Sequence, residues 1–257
     1  MKSMSVLSTA LVEAWRSGQP LNAEAATHLA PPDEPAAYRV QREVGGALGW
    51  YTTGRPRAWK MGAASRDAVP TGAPIPDPAL LDSPAHLAAT SAHTLIGVEV
   101  ELAVRLAQPL RADASADEAR AAVAEVLAAI EICDVRAHDW ASLPPLFRLA
   151  DQQMNRWLIL GSGVGGPWRD DFTSCEVRLE INGVETLRRR GGHPLGEPLY
   201  VLPWLAAHAA GEYPGGLQAG DVITTGTWTG LYEAKPGDRV RASFAGIGSV
   251  DVEIGRT

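Results

Sequence analysis

The stretch "IGVEVELAV", Ile96 to Val104, carries apolar residues at every second position, the pattern of a half-buried β-strand. Valines and a leucine take one face, and Glu99 and Glu101 fall together on the other. Side chains two apart on a strand point the same way, roughly 6.5–7 Å from each other. Two readings are open. One is a solvated strand face, which commonly carries glutamate. The other is a pair of oxygen ligands for a hard divalent cation, Mg²⁺ or Mn²⁺, whose charge would turn mutual repulsion into shared attraction.

The second reading needs another carboxylate in an apolar setting. Glu131 in "AAIEICDV" is the best placed, because Ile130, Ile132 and Cys133 around it all argue for burial. A buried glutamate is costly unless it is neutralised, paired or bound to metal. Arg136 or Arg105 could serve as its partner instead. Upstream, Lys60 sits between Trp59 and Met61 in "RAWKMG". It reads either as a snorkelling surface lysine or as fixed positive charge for an anionic ligand.

Outward from this core, "VLSTALVEAW" and a segment from the "PPDEP" break to Gly49, with Pro35 in its first turn, read as helices. "TGAPIPDPALLDSPAHL" (71–87) is Pro-rich and reads as a long loop. "SADEARAAVAEVLAAI" (115–130) reads as one helix, with Ser115 and Glu118 as a capping box and an apolar stripe from Ala119 to Ile130. It would feed directly into a strand at "IEICDVRAHDW". The C-terminal half is mainly β, with a hairpin turning at Asn182-Gly183, a helix in "PLYVLPWLAAHAAG", and a turn at Pro236-Gly237. The expected class is α+β, a mainly antiparallel mixed body behind a small helical N-terminus.

Composition narrows the function. The 257 residues carry a net charge of −7, with no basic footprint for nucleic acid. No apolar run approaches the roughly 20 residues that span a bilayer, and Glu13 and Arg16 interrupt what would be a leader's apolar core, so a soluble cytoplasmic protein is expected. Two cysteines, Cys133 and Cys175, in apolar runs fit a reducing compartment. "GSGVGG" (161–166) satisfies G-x-G-x-x-G, but residues 167–171 do not read as the helix a dinucleotide site requires. No G-x-S-x-G elbow is present, and His28, His86, His93, His138, His193 and His208 lack zinc-ligand spacing. His193, in the loop "RRRGGHPLGEP", reads as an exposed loop histidine.

Taken in order, these pieces resemble the fumarylacetoacetate hydrolase superfamily, most of all its branch of 2-keto-4-pentenoate hydratases and 4-oxalocrotonate decarboxylases. "WKMGAAS" is similar to the family's lysine strand, "PIPDPALLDS" to its acidic loop, and "GVEVELAV" to its E-x-E metal strand. "AIEICDVR" resembles the segment with the third carboxylate, and "LADQQMNRWLILG" the A-D-N segment. "PLGEPLYVLPWLA", "LQAGDVITTGTWTG", "KPGDRV" and "GIGSVDVEI" look like the C-terminal signatures. The resemblance implies a mixed β-roll over residues 56–257 behind an N-terminal helical extension, 1–55. It implies Glu99, Glu101 and Glu131 as ligands of one Mg²⁺ or Mn²⁺, and Lys60 and Asp77 as catalytic groups. Arg136, Thr227 and Trp228 come forward as substrate-binding residues. The chain departs from the family at Val135, at Gln152 and at Trp228.

The activity implied is hydration of a 2-hydroxy-2,4-dienoate, with Lys60 holding the carboxylate and Asp77 as acid or base. The rivals are decarboxylation of a 2-oxo-3-enedioate, C–C hydrolysis of an acylpyruvate, and a catalytically idle partner subunit. A homo-oligomer is expected, with a joint hydratase–decarboxylase assembly as a further partner.

Overall fold

A computed structural model describes residues 4–88, 94–166 and 172–256. His93 and the stretch 167–171 lie outside the described residues. Three helices come first: α1 (Val6–Ser17), α2 (Ala23–His28) and α3 (Glu34–Leu48). Ser5 caps α1 by accepting from the Ser8 N–H, and Asp33 caps α3 by accepting from Ala36. Pro35 occupies the first turn of α3 as expected, while α2 is a short helix that the sequence reading does not anticipate. None of the described helices is long and apolar enough to cross a membrane.

The rest is built from β1 (Ala58–Gly62), β2 (Thr71–Ile75), β3 (Leu80–Asp82), β4 (Ala85–Leu87), β5 (Gly97–Leu106), α4 (Ala116–Ala121), β6 (Val123–Cys133) and α5 (Pro145–Ala150). These are followed by β7 (Asn155–Gly165), β8 (Glu176–Ile181), β9 (Val184–Arg190), α6 (Leu202–Glu212), β10 (Val222–Glu233), β11 (Arg239–Phe244) and β12 (Gly248–Ile254). One mixed sheet has the order β2-β1-β10-β5-β6-β7-β3, and a second has β4-β12-β11-β8-β9. Parallel pairs occur at β1–β10, β3–β7 and β4–β12, and every other pairing is antiparallel. The fold is thus the α+β mixed roll expected from the sequence.

Two expectations are corrected. Residues 115–130 are not one helix. The capping box forms at Ser115–Glu118, but α4 ends by Ala122 and β6 begins at Val123. Position 126 shows why: Val126, Ala128, Ile130 and Ile132 enter the core between the sheets, while Leu127 and Ala129 enter a second cluster on the opposite face. A strand buried on both faces is apolar throughout, and such a run satisfies helical spacing as well as strand spacing. Ten-residue pairing with β5 then decides in favour of the strand. Residues 71–87 are likewise not a loop; they form β2, β3 and β4. Pro74 is accommodated because β2 is an edge strand and needs no second ladder.

Of the "GSGVGG" glycines, Gly161, Gly163 and Gly165 belong to β7, and Gly161 and Gly163 serve close packing. A Cβ on Gly161 would lie 2.1 Å from the Ser249 carbonyl oxygen on β12, where the two sheets meet. The hairpin β8–β9 turns at Asn182 and Gly183, both at positive φ, as a two-residue turn of this kind requires. The N-terminal helices pack on the segment after β6, and Leu11, Val44, Val135 and Phe147 share one cluster.

Candidate active site

The period of two decides which residues meet. On β5, Val98, Val100, Leu102 and Val104 point between the sheets, so Glu99, Glu101 and Ala103 share the opposite face. On β6, Glu131 lies directly across from Glu99. On β1, Trp59 and Met61 point into the core, which turns Lys60 to the same side as the glutamates. That face is apolar at one end, with Ala103, Leu127, Ala129 and Leu158, and ionic at the other. It is not a solvated face: Lys60 is 7% exposed, Glu101 1% and Glu131 0%.

β1 and β6 are three strand spacings apart, roughly 14 Å in a flat sheet. Even so, the Lys60 ammonium donates to Glu131 Oε1 at 2.6 Å, so the sheet is curled. Register shifts in β10 on both sides of Thr227 supply part of that curl. They also turn the Gly226 N–H, on a residue at φ 91°, onto Glu101 Oε2 at 3.0 Å. Asn155, the first residue of β7, donates its side-chain amide to Glu131 Oε1 at 2.9 Å.

Lys60 Nζ also donates to the Gln153 carbonyl oxygen at 3.0 Å. Gln152, Gln153 and Met154 hold φ values of 52°, 52° and 65°, three successive non-glycine residues in the left-handed region. Such a conformation costs about 1–2 kcal/mol per residue, and something must hold it. Arg136 does. Its Nη2 donates to the carbonyls of Asp151 and Asn155, at the two ends of the turn, and its Nε and backbone N–H bind the Asp151 carboxylate.

Arg136 is therefore a buried clamp and does not reach a ligand, contrary to expectation. Trp228 is also corrected: it is 0% exposed and packs among Phe172, His193 and Phe244. Asp77 is not brought to the site either. Its carboxylate accepts from the backbone and hydroxyl of Thr52 and pairs with Arg57, tying down the chain after α3.

A cavity of about 510 Å³ opens over the ionic face. Its walls include Lys60, Glu99, Glu101, Gln153, His193 and Thr227, with Glu131 behind Lys60. Two of the three ammonium hydrogens are used by Glu131 and Gln153, which leaves one for a ligand. His193 is not an exposed loop residue; it is 6% exposed. Its Nδ1 accepts from the Leu195 N–H, so the neutral ring carries its proton on Nε2. Burial, aided by the charge of Arg189 and opposed by the Gly226 backbone, pushes its pKa down to about 4. The ring is thus neutral, and it lines the cavity wall with its Nε2 buried beside Gly226. The Gly-Gly-His-Pro loop is the only sequence signal for it, and Gln153 has none, since its role comes from backbone conformation.

Burial raises the pKa of Glu99, with the Glu131 charge adding to the rise and Lys60 opposing it. Glu101 is pushed well up by burial and by Glu131 and Glu99. For Lys60, burial works against the charge, but Glu131 and its neighbours outweigh it and hold the pKa high. With all three carboxylates ionised against one ammonium, the face would carry two excess negative charges, which one divalent cation would cancel. Glu131 Oε2 is buried and has no hydrogen-bond partner among the described residues.

By donor distance alone, Glu99, Glu131 and Cys133 form the tightest group, within 4.8 Å. Cys133 is an unsuitable ligand for a hard cation: burial and the flanking carboxylates push its thiol pKa well up, and it donates to Glu99 Oε2 at 3.4 Å. Glu101 lies outside that group, but the all-oxygen chemistry of Glu99, Glu101 and Glu131 suits a hard divalent ion.

Residues 55–254 match the family model described as fumarylacetoacetate (FAA) hydrolase C-terminal. The 2-keto-4-pentenoate hydratase of Paraburkholderia phymatum is 32% identical over 154 residues, 60% of this chain and 58% of that protein. A 4-oxalocrotonate decarboxylase of a Pseudomonas species is 29% identical over 157 residues, 60% of this chain and 58% of the relative. The match thus spans little more than half the length of these relatives. Among solved structures, the 4-oxalocrotonate decarboxylase from Pseudomonas putida G7, complexed with magnesium and adipate, superposes with a TM-score of 0.82. It is 21% identical, over 99% of this chain and 100% of that one.

Proposed function

Since the chain belongs to the fumarylacetoacetate hydrolase family, we propose that it is a divalent-metal-dependent hydratase of a small 2-hydroxy-2,4-dienoate. The reaction passes through the 2-oxo-3-enoate tautomer and adds water at C4, giving a 4-hydroxy-2-oxo acid. The observation that carries this reading is the Lys60–Glu131–Glu99–Glu101 face opening on one cavity.

Glu99, Glu101 and Glu131 would hold Mg²⁺ or Mn²⁺, in keeping with the magnesium of the fold neighbour. When bound, such an ion supplies Lewis-acid stabilisation of the negative charge that develops on a 2-oxo group. Lys60 gives its remaining N–H to the substrate carboxylate. His193 forms part of the cavity wall and stays neutral across the working pH range. Gln153 and Arg136 hold Lys60 in place, and the buried walls limit water to what the reaction consumes.

Decarboxylation of a 2-oxo-3-enedioate is the second reading, favoured by the relative of that name. Purified protein with Mg²⁺ is incubated with 2-hydroxypenta-2,4-dienoate and, separately, with 2-oxo-3-hexenedioate. Loss of dienoate absorbance without CO₂ supports the hydratase, whereas CO₂ from the diacid supports the decarboxylase. No change in either substrate removes both readings.

A further inference from the structure

A second cavity, of about 290 Å³, adjoins the first. Thr71 and Gln153 line both, and the Gln153 side-chain amide donates to the Thr71 hydroxyl at 3.1 Å. One neutral hydrogen bond therefore forms the bar between them, a bond exchanged with water at little net cost. The Gln153 Oε1 is buried without a partner among the described residues, so the rest of the amide is not locked. Beyond the bar the walls are mainly apolar: Pro145, Leu146 and Leu149 from α5, and Met154 from the left-handed turn. Glu34 and Arg148 are the charged members of the lining.

We infer that this second cavity receives the distal arm of the substrate, and that the arm is apolar, an alkyl or aryl extension of the 2-oxo acid. The inference rests on the proposed function, which places the 2-oxo acid head against Lys60. A five-carbon acid fits within the first cavity. A longer chain leaves it at Gln153, where displacing one hydrogen bond opens an apolar space. Gln153 then acts as a specificity residue: its carbonyl oxygen holds Lys60 while its side chain decides whether the arm can pass.

The test is calorimetric binding of non-reacting saturated acids, 2-oxopentanoate and 2-oxodecanoate, to the full chain in magnesium buffer. Each methylene taken into an apolar pocket tightens binding by about fourfold. 2-Oxodecanoate should therefore bind at least about tenfold tighter than 2-oxopentanoate, since only part of its chain needs to be buried. Leu146→Trp, which fills the cavity, should bring that ratio close to one, and Leu146→Ala should keep it. Equal affinities for the two acids in the wild type overturn the inference while leaving the 2-oxo acid site standing. A ratio untouched by Leu146→Trp does the same. If neither acid binds, the 2-oxo acid reading falls and this inference falls with it. If 2-oxodecanedioate binds tighter than 2-oxodecanoate and Arg148→Gln cancels the gain, the cavity takes an anion and the apolar assignment is wrong.

Discussion

Replacing Arg136 with Met separates what the clamp does for stability from what it does for the site. Both members of the Arg136–Asp151 pair have side chains at 0% exposure. Arg136 Nε lies 2.9 and 3.0 Å from the two carboxylate oxygens, and the Arg136 N–H donates to Oδ2 at 2.7 Å. The guanidinium also rests 4.2 Å over the Trp15 ring of α1. Removing one partner leaves an uncompensated buried charge, a loss of about 3–5 kcal/mol.

Burial already raises the Asp151 pKa, with Arg136 opposing the rise. Without Arg136 it rises further, so the folded state binds protons more tightly than the unfolded chain, and stability falls as pH rises above the unfolded value of about 4. The penalty in the variant is therefore larger at pH 8 than at pH 5. The double variant Arg136→Met, Asp151→Leu removes both charges of the pair and should recover about 2 kcal/mol or more. It does not restore the clamp on the carbonyls of Asp151 and Asn155, so the left-handed turn relaxes and Lys60 loses its hold on Gln153. Urea unfolding at the two pH values gives the stabilities, and kcat/KM for dienoate hydration gives the function. A single-variant loss below about 1 kcal/mol refutes the buried-charge reasoning. Full recovery of kcat/KM in the double variant refutes the role assigned to the turn.

Glu131→Gln should weaken Mg²⁺ or Mn²⁺ binding by about tenfold or more, read by calorimetric titration, since it removes one of three charged ligands and the unpartnered Oε2; an unchanged affinity counts against the ligand set. His208, stacked on Trp204 with its rings 4.9 Å apart, has its pKa pushed down to about 4 by burial and by Arg42. Because the unfolded chain binds the proton more readily, stability should hold above about pH 6.5 and fall between there and pH 4. The loss is about 2 kcal/mol after allowing for partial exposure, and His208→Phe should flatten that slope in urea titrations. Gly161→Ala should lower the melting temperature sharply, with a cost of about 3 kcal/mol, because the new Cβ meets backbone at 2.1 Å and neither sheet can yield; a shift of a degree or less would contradict the tight sheet contact. Lys60→Met should abolish binding of 2-oxopentanoate in the same calorimetric assay, and retained binding would remove the lysine from the substrate site.

Much of the site was legible because strands report one face at a time. Glu99 and Glu101, two apart, must share a side, and Lys60 between Trp59 and Met61 must face away from whatever those two enter. The ionic cluster therefore follows from local alternation together with three apolar settings. The β6 segment also fits a helix because Val123 to Cys133 is largely apolar on both faces, and one-dimensional periodicity cannot separate a doubly buried strand from a buried helix. Arg136, Trp228 and Asp77 looked like ligand groups because nothing local announces an ion pair 15 residues away, a sheet packing overhead, or a capped loop at Thr52.

What the sequence by itself determined is the family, and that Glu99 and Glu101 share one face of a strand while Lys60 and Glu131 sit in apolar settings. Only the tertiary structure decided which of them touch. The curl of the seven-stranded sheet carries Lys60 across three strand spacings to Glu131, and a clamped left-handed turn brings Gln153 beneath it. Both depend on long-range packing and backbone strain, which no local pattern encodes, whereas alternation along a strand is set by the chemistry of each residue in turn.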